Sequence, residues 1–406
     1  MSAVHPLAAL ARAVVRSPAL LRVRPSVSAF LVGYLRKFPA IEVGGRVVLH
    51  SHLPALDSPA YARFVRLHLV DRVAAPSHAQ IAVTNACPQR CPVCYNRDRA
   101  GTPLTPAELR SAIDQLVSCG VVWLGLTGGE PLLRRDLTDL VAIGRGRAAL
   151  KLFTTGMGAT PTLAAELRDA GLSSVSVSID HWDEETNDRG RGLAGAWRAA
   201  VDAAETFLAA GGLHVGISAV LPRDQMRGVP EIKRLLSFAG SLGVHELWLS
   251  EVKPTVASLW HEDAIVTDTE RRAVAAFQDG WNGRTSAERR GVTLNYLGHF
   301  EGAEHFGCNA GQKMVYVDAF GNVSPCVFTP VSFGNLRDQP IAAILASMRN
   351  RFPTESCCFI NRNWGLVAEV SQGALPLGRD QTLALLERVR FGPLSAFNRR
   401  YFGRQH

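Results

Sequence analysis

The chain has 406 residues, of which 47% are hydrophobic and 20% charged, and its formal net charge is +8. These values describe a globular protein with a large core, which excludes a disordered chain, and no apolar stretch reaches the roughly 18 residues of a transmembrane helix. The modest positive charge permits contact with anionic lipid or nucleic acid but requires neither.

The first 41 residues are basic and contain no acidic side chain. They begin with a predicted helix that carries apolar side chains on one face and ends before Pro18. Such a segment fits a helix on an anionic membrane surface, an ordinary packed helix, or an Arg-rich transit peptide without a clear cleavage pattern. The apolar face comprises Leu7, Leu10, Ala11, Val14 and Val15, and the basic side chains are Arg12, Arg16, Arg22, Arg24, Arg36 and Lys37.

Residues 42–57 read as a β-hairpin around the turn Gly44-Gly45, and residues 61–73 have helical spacing. Within that helix the predicted buried side chains are Phe64, Leu67, Leu69 and Val70. We group residues 1–76 as an N-terminal extension that matches no module known to us.

From Ser77 onward, strand-like and helix-like patterns alternate, which predicts an α/β fold with parallel strands. Six such units in residues 77–255 fit an incomplete (β/α)6 TIM-like barrel, whose reacting groups gather at the C-terminal ends of its strands. The predicted strands are 81–84, 121–127, 151–155, 173–179, 214–221 and 246–251, and the predicted helices include 106–118, 137–144, 163–170 and 194–210.

Three cysteines follow the first of these strands at C-x3-C-x2-C spacing: Cys87, Cys91 and Cys94. One loop can place three thiolates around one metal centre, and a four-iron cluster held by three cysteines keeps one iron open for a small molecule. Zinc is the rival, but it usually takes four ligands from two paired arms, and no second pair follows at zinc-ribbon distance. Seven of the eight cysteines lie in two short regions, which indicates metal ligation in a reducing compartment.

This loop resembles that of the radical S-adenosylmethionine (radical SAM) superfamily. The resemblance implies a [4Fe–4S] cluster on Cys87, Cys91 and Cys94, with SAM chelated at the open iron. The residue before the third cysteine, usually aromatic in that family, is Val93 here, and Tyr95 follows the cysteine. We expect Tyr95 to lie beside the bound SAM.

The second strand ends in Gly128-Gly129-Glu130-Pro131, similar to the family's GGEP motif. Paired glycines let a ligand approach the backbone, and a carboxylate accepts hydrogen bonds from an ammonium group. The resemblance implies that Glu130 binds the SAM amino group. Taken alone, the same residues would also form a tight turn.

The later strand ends complete the expected SAM site. Thr155 lies in a segment similar to the family's T-N-G element, and Ser178 and Asp180 share one face of the fourth strand. Arg191, which precedes Gly192, resembles the arginine that reaches the SAM carboxylate, with Arg189 as the second choice.

Residues 256–306 carry no comparable motif and include a predicted helix at 267–279, so we interpret them as a helical linker. A hairpin at 314–325 then brings Cys308 and Cys326 together, a helix is predicted at 341–349, and Cys357-Cys358 follows. The spacing around Gly321 resembles SPASM/twitch domains, which bind auxiliary iron–sulfur clusters, and residues 307–360 form this predicted domain. Because the further cysteines of a full SPASM domain are missing, we expect one cluster held by Cys308, Cys326 and one or both of Cys357 and Cys358. Structural zinc or free thiols are the alternatives.

Residues 361–406 form a predicted tail with helically spaced apolar residues and a basic, aromatic end. The apolar residues are Leu383, Leu385, Leu386 and Val389, and the end carries Arg399, Arg400, Tyr401, Phe402 and Arg404. We expect Cys119, which stands apart from the two cysteine regions, to be a small buried residue.

The resemblance implies an enzyme that cleaves SAM reductively and abstracts a hydrogen from a lipid, peptide or small metabolite. The expected partner is an electron donor such as flavodoxin or ferredoxin, in the cytoplasm, with peripheral contact at the inner membrane face as a further hypothesis. The alternatives are an iron–sulfur electron-transfer or scaffold protein without SAM cleavage, and a zinc-stabilised nucleic-acid binder, for which no basic aromatic motif is present.

Overall fold

The computed structural model describes residues 2–371 and 373–403. The strands are β1 (Ser2–Val4), β2 (Ala40–Val43), β3 (Arg46–Val48), β4 (His78–Thr84), β5 (Trp123–Gly128), β6 (Ala149–Thr154), β7 (Leu172–Ser178), β8 (His214–Leu221), β9 (Glu246–Glu251), β10 (Thr293–Tyr296), β11 (Met314–Val317) and β12 (Val323–Ser324).

The helices alternate with β4 to β10 and dominate both ends of the chain. They are α1 (Pro6–Arg16), α2 (Pro25–Leu35), α3 (Pro59–Phe64), α4 (Pro106–Cys119), α5 (Leu137–Gly144), α6 (Pro161–Ala170), α7 (Glu184–Arg191), α8 (Ala196–Ala210), α9 (Arg223–Met226), α10 (Pro230–Leu242), α11 (Asp268–Asn282), α12 (Leu297–Phe300), α13 (Ile341–Arg351), α14 (Phe359–Ser371), α15 (Arg379–Arg388) and α16 (Ala396–Phe402). A π-helical turn, Val65–Val70, continues α3, and single 3-10 turns lie at Pro18–Arg22, Pro131–Leu133, Ala257–Leu259 and Glu262–Ala264.

The main sheet has the order β10-β9-β8-β7-β6-β5-β4-β11-β12 across the described residues, and only β12 runs antiparallel to its neighbour. The six strands β4 to β9 confirm the predicted strand–helix units. No pairing among the described residues joins β12 to β10, so the sheet stays open, as expected for an incomplete barrel. Helices cover the apolar strands, which explains why these strands read as continuous hydrophobic runs.

Two parts of this sheet differ from the sequence prediction. β10 lies in residues 256–306, which were expected to be helical, and it pairs in parallel with β9. The hairpin β11–β12, within the predicted domain of residues 307–360, extends the main sheet by pairing with the open edge of β4, with Met314 opposite His78, and the sequence analysis did not predict this pairing. An uncovered strand edge leaves backbone donors and acceptors unpaired, and β11 satisfies those of β4.

Helix α4 shows how local sequence fixes the spacing between β4 and β5. Thr105 and Glu108 form a capping box at its N-terminus, with Pro106 in the first turn. Gly120, with φ +128°, ends the helix, and β5 begins three residues later. Helix α4 thereby returns the chain to the N-terminal edge of the sheet before β5 starts.

The N-terminal extension contains the predicted hairpin, formed by β2 and β3, and β1 adds an unpredicted third strand. Helix α1 packs through Ala9 and Ala13, whereas its larger apolar side chains face solvent. Arg12 lies on the packed side and pairs with Glu42 and Asp57 at 2.7 and 2.5 Å.

The segment that follows β3 closes the N-terminal end of the barrel. The Trp123 indole donates to the Ser51 carbonyl at 2.8 Å, and the Lys151 amine donates to the Ser51 hydroxyl at 2.5 Å. The His52 ring stacks on Trp248 with centroids 3.6 Å apart. Residues 49–53, which we call the plug, therefore belong to the barrel core.

The C-terminal helices also pack on the folded body. The rings of Phe397 in α16 and Phe30 in α2 lie 5.3 Å apart, and Leu385 of α15 is buried. Arg404 of the predicted basic end lies outside the described residues. In the part of the chain that the structure describes, no helix is long and apolar enough to cross a membrane.

Candidate functional site

The three cysteines of the first loop lie just past the C-terminal end of β4, as predicted. Cys87 is exposed, Cys91 and Cys94 are half-buried, and all three line a cavity of about 730 Å³. The Cys94 amide donates to the Cys91 carbonyl at 3.3 Å, which coils the loop. The three thiols of this one coiled loop therefore line the same cavity.

The glycine pair after β5 locks this loop in place. A Cβ atom on Gly128 would lie 2.1 Å from the Thr84 carbonyl oxygen, and one on Gly129 would lie 2.0 Å from that of Ala86. The Gly129 amide donates to the Thr84 carbonyl at 2.8 Å. Both glycines line the cavity, but the closest backbone to them is that of the cysteine loop, so any side chain here would separate the two loops.

Glu130 is fully buried and lies behind the cavity wall. One carboxylate oxygen accepts from the Leu132 amide and the Thr154 hydroxyl, and the other accepts from the amide and the hydroxyl of Thr155. Burial raises the pKa of this carboxyl group, and the four hydrogen bonds oppose that shift. Glu130 therefore joins the ends of β5 and β6 here, and its predicted contact with the SAM amino group stays a prediction.

The structure distinguishes the two candidate arginines. Arg191 is buried, lines the cavity, and pairs with Asp180 at 2.7 Å. Its carbonyl accepts from the Arg90 amide at 3.1 Å, and Cys91 Sγ lies 3.6 Å from the same oxygen. Arg189 instead lies on the surface, paired with Glu185 at 2.6 Å. Placement thus favours Arg191.

The other predicted SAM contacts also lie on the cavity wall. These residues are Tyr95, Thr155, Ser178 and Asp180. The Tyr95 hydroxyl is 2.9 Å from that of Thr127, and its ring packs edge-on against Tyr316 and Phe328. Burial raises the pKa of Tyr95, and its phenol lies within electrostatic reach of both Cys94 and Cys326, so it stands between the two cysteine regions.

The second cysteine region separates into two environments. Cys308, Cys326 and Cys358 line the same cavity as the first loop. Cys357 does not, and its Sγ lies 3.6 Å from Arg362 and 3.8 Å from Glu355. The two adjacent side chains therefore point in different directions: the Cys358 thiol faces the cavity and the Cys357 thiol does not, while their roles as cluster ligands stay a prediction.

A buried ion network borders this second set of thiols. Lys253 donates to Glu251 at 2.9 Å and to Glu301 at 2.7 Å. Lys253 and Glu301 line the cavity. Burial raises the pKa of Cys326 and Cys358, the Glu301 carboxylate adds to that shift, and the Lys253 ammonium opposes it. The sequence analysis missed both residues, although Lys253 follows the end of β9, where the strand-end rule would have placed a functional residue.

The donor chemistry of both sets fits iron–sulfur clusters. Burial raises the pKa of Cys91 to about 11 and those of Cys326 and Cys358 to about 12, so a cation must displace the protons for thiolates to form near neutral pH. Among the described residues, no three His, Cys, Asp or Glu side chains are already closed around one metal position. Two cysteine sets opening into one cavity nevertheless match the ligands that such clusters use.

Two sequence families match this chain. The radical SAM superfamily matches residues 81–236, and SPASM, an iron–sulfur cluster-binding domain, matches residues 308–363.

Curated relatives resemble most of the chain. An AdoMet-dependent heme synthase of Methanosarcina barkeri is 28% identical over 280 residues, covering 64% of this chain and 80% of the relative. A PqqA peptide cyclase of Gluconobacter oxydans is 26% identical over 310 residues, covering 70% of this chain and 83% of that protein.

Solved structures share the fold. Streptococcus suis SuiB bound to its precursor peptide SuiA matches with a TM-score of 0.54 at 14% identity, over 70% of this chain and 69% of SuiB. The protein anSMEcpe with bound AdoMet and a peptide matches with a TM-score of 0.53 at 16% identity, over 80% of this chain and 95% of that protein. The chain therefore contains a radical SAM domain at residues 81–236 and a C-terminal SPASM domain at residues 308–363, and its cofactors are a [4Fe–4S] cluster with SAM and an auxiliary iron–sulfur cluster.

Proposed function

We propose that this chain cleaves SAM reductively and uses the product radical to remove a hydrogen atom from a substrate in its cavity. The observation that carries the proposal is that Cys87, Cys91 and Cys94 lie at the strand ends and open into the cavity that the SAM-site residues line. When bound, the cluster and SAM supply one-electron cleavage of SAM to methionine and a 5′-deoxyadenosyl radical, which becomes 5′-deoxyadenosine as it takes a hydrogen from the substrate.

The protein's own residues bind and orient these groups. We assign the cluster to Cys87, Cys91 and Cys94, and the wall beside SAM to Tyr95, Thr155 and Ser178. The Arg191–Asp180 pair borders Cys91 and gives the site a fixed positive group that a SAM carboxylate can approach. Glu130, together with Gly128 and Gly129, holds the strand ends at the spacing that this site requires.

We assign the auxiliary cluster to Cys308, Cys326 and Cys358, which open into the same cavity. Three cysteines leave one coordination position for another ligand. Glu301 borders these thiols and is held by Lys253, so the network sets the local charge at this cluster. We place Cys357 outside the ligand set because its thiol contacts Glu355 and Arg362.

The test is SAM cleavage by protein with reconstituted clusters, reduced with dithionite or by a small donor protein such as flavodoxin or ferredoxin. Wild-type protein should release 5′-deoxyadenosine, and replacing Cys87, Cys91 and Cys94 with Ala should abolish this release while auxiliary-cluster absorbance persists. Unchanged release by the triple variant would refute the assignment. Wild-type protein that carries both clusters but cleaves no SAM would support the electron-transfer or scaffold alternative.

A second proposal concerns location: α1 and the turn after it contact an anionic membrane. Exposed fractions are 70% for Leu7, 41% for Leu10, 76% for Val15 and 78% for Leu21, an unusual density of exposed apolar side chains. Arg16 and Arg22, in the same helix and turn, are also exposed and form no ion pair with the described residues. Apolar side chains beside unpaired cations are the composition of a surface-binding helix.

A further inference from the structure

The cavity at the cysteines extends well beyond the SAM site, into a section built by the N-terminal extension, by α16 and by Phe306. This section, which we call the apolar section, is lined by Leu31, Leu35, Leu53, Phe64, Phe306 and Phe397. All six residues lie outside residues 81–236 and 308–363, which match the two families. The space that these uncharged side chains enclose is therefore built by segments outside the two matched ranges.

The two tyrosine hydroxyls on this wall are already hydrogen-bonded within the protein. The Tyr34 hydroxyl is 3.3 Å from His50 Nε2, and the Tyr401 hydroxyl donates to the His68 carbonyl at 2.6 Å. Burial also lowers the pKa of His50 to about 4, so this ring is neutral at physiological pH. An extended peptide needs a partner for one donor and one acceptor per residue, and the six apolar side chains of this section supply none, whereas a hydrocarbon chain needs none.

One end of the apolar section carries positive charge without a matching acid. Lys313 lines the cavity, its amine lies 4.9 Å from the centroid of the Tyr401 ring, and it pairs with no carboxylate among the described residues. The Arg72 guanidinium lies 5.4 Å from the same ring. Burial lowers the pKa of Lys313 to about 8, so the amine remains mostly protonated near pH 7. An anionic group would neutralise this end.

The two ends of the cavity are separated by the length of a strand. The Lys313 carbonyl accepts from the His78 amide at the start of β4, and Cys87 follows the end of β4. Seven residues of parallel strand span about 20 Å, which is comparable with an extended long-chain acyl group or a short isoprenoid.

We infer that the apolar section binds the hydrocarbon chain of a single-chain anionic amphiphile, whose head group lies at Lys313 and whose chain extends towards the SAM site. This inference rests on the proposed function, because it identifies the amphiphile as the molecule that loses a hydrogen. With the anion at Lys313, the reacting carbon belongs to the chain and not to the head group.

The first test is a titration of reconstituted enzyme with cis-parinaric acid, a fluorescent C18 carboxylate. We expect saturable binding to wild type and at least tenfold weaker binding to Leu35→Trp, which fills the section. Val32→Trp is the matched control, because Val32 lies on the same helix and is 40% exposed. Lys313→Gln should weaken binding of the acid about fivefold or more and leave binding of its methyl ester unchanged. Displacement by oleate or by farnesyl phosphate then separates an acyl from an isoprenoid ligand.

A second measurement does not depend on a variant that folds. Wild-type enzyme photolabelled with a diazirine-bearing palmitic acid should carry the label in residues 25–35 or 396–402, and unlabelled palmitate should compete. Unsaturable binding, labelling confined to the surface of α1, or equal affinity of Leu35→Trp and Val32→Trp would overturn the inference. A protein that forms 5′-deoxyadenosine but fails these tests retains the proposed function and has a different substrate, with peptides as the first class to examine. A protein that passes them but cleaves no SAM binds the amphiphile without the proposed function.

Discussion

Arg191 and Glu130 were predicted to contact the carboxylate and the amino group of SAM, yet the structure gives the two side chains different surroundings. Arg191 has one carboxylate partner and reaches the cavity, whereas Glu130 already accepts four hydrogen bonds behind the wall. A group facing the cavity affects ligand affinity directly, and a group behind the wall affects it by moving its neighbours.

We predict that Arg191→Ala weakens SAM binding by on the order of 1.5–3 kcal/mol, the range for a lost charge-assisted hydrogen bond. Isothermal titration with SAM on reconstituted protein measures this, and Arg189→Ala is the matched control because that residue pairs only on the surface. Equal losses in the two variants would contradict the assignment of Arg191.

For Glu130→Gln we predict weaker SAM binding together with lower thermal stability, because an amide nitrogen would face donors at Thr154 or Thr155. Calorimetry of SAM binding and thermal unfolding of the same sample separate the two effects. Unchanged stability with lost SAM affinity would show that Glu130 binds SAM directly, and unchanged SAM affinity would remove Glu130 from the site.

The vicinal cysteines give a further test at the residue scale. Cys358→Ala should lower the auxiliary-cluster iron content, while Cys357→Ala should leave it near the wild-type value, because only Cys358 opens into the cavity. Iron analysis and absorbance in a background that lacks Cys87, Cys91 and Cys94 isolate this cluster. Loss of iron in both variants would mean that both thiols are ligands.

Helix α1 is the element that we propose contacts an anionic membrane. Its small residues Ala9 and Ala13 pack on the extension, and its larger apolar side chains Leu7, Leu10 and Val15 are exposed. Deleting residues 1–37 would also remove α2, which packs on α16, and would therefore confuse lost membrane contact with lost folding.

We predict that the combined variant Leu7→Gln, Leu10→Gln and Val15→Gln abolishes flotation with anionic liposomes, because each buried leucine or valine contributes roughly 1.5–3 kcal/mol. Leu133→Gln, an exposed leucine on another part of the molecule, is the matched control. Association should also fall with added salt, since each basic residue near the surface contributes about 1 kcal/mol. Full-length protein that stays unbound at low salt would refute membrane contact.

On the scale of the whole molecule, the N-terminal extension contributes its plug, residues 49–53, to the core of the barrel. The plug supplies a carbonyl and a hydroxyl to Trp123 and Lys151, both fully buried, and its His52 covers Trp248. Removing it would leave a buried amine without its hydrogen-bond partner, which is costly in an apolar interior. Burial lowers the pKa of Lys151 to about 7, which reflects how little water reaches it.

We therefore predict that a chain beginning at residue 77 is recovered as aggregate, whereas the full-length triple variant of α1 stays soluble. Fractionation after expression, followed by size-exclusion chromatography, measures this. Co-expression of residues 1–76 should restore soluble protein if the plug binds in trans. A soluble chain from residue 77 that still cleaves SAM would show that the extension is dispensable.

The sequence by itself determined the cysteine pattern, the order of strands and helices, and the family resemblance that implies the cofactors. It could do so because residue type and strand periodicity are local features of the chain. The C-x3-C-x2-C spacing, the GGEP segment and the alternation of strands and helices were sufficient to place Cys87, Cys91 and Cys94 at the end of a parallel strand, with the cofactors that this implies. The predicted strands agree with the observed ones to within about three residues at each end, since buried parallel strands read as uninterrupted apolar runs.

The tertiary structure alone decided which residues share the cavity. Cys357 and Cys358 are equivalent in sequence, and only packing turns one thiol towards the cavity and the other towards Arg362. Lys253, Lys313 and the plug belong to no motif, because their surroundings come from segments that are distant along the chain. Pairing of β11 with β4 likewise depends on a strand edge that no local pattern records. Side-chain direction and long-range contact are set by the packed whole, and for that reason the apolar section became visible only in the fold.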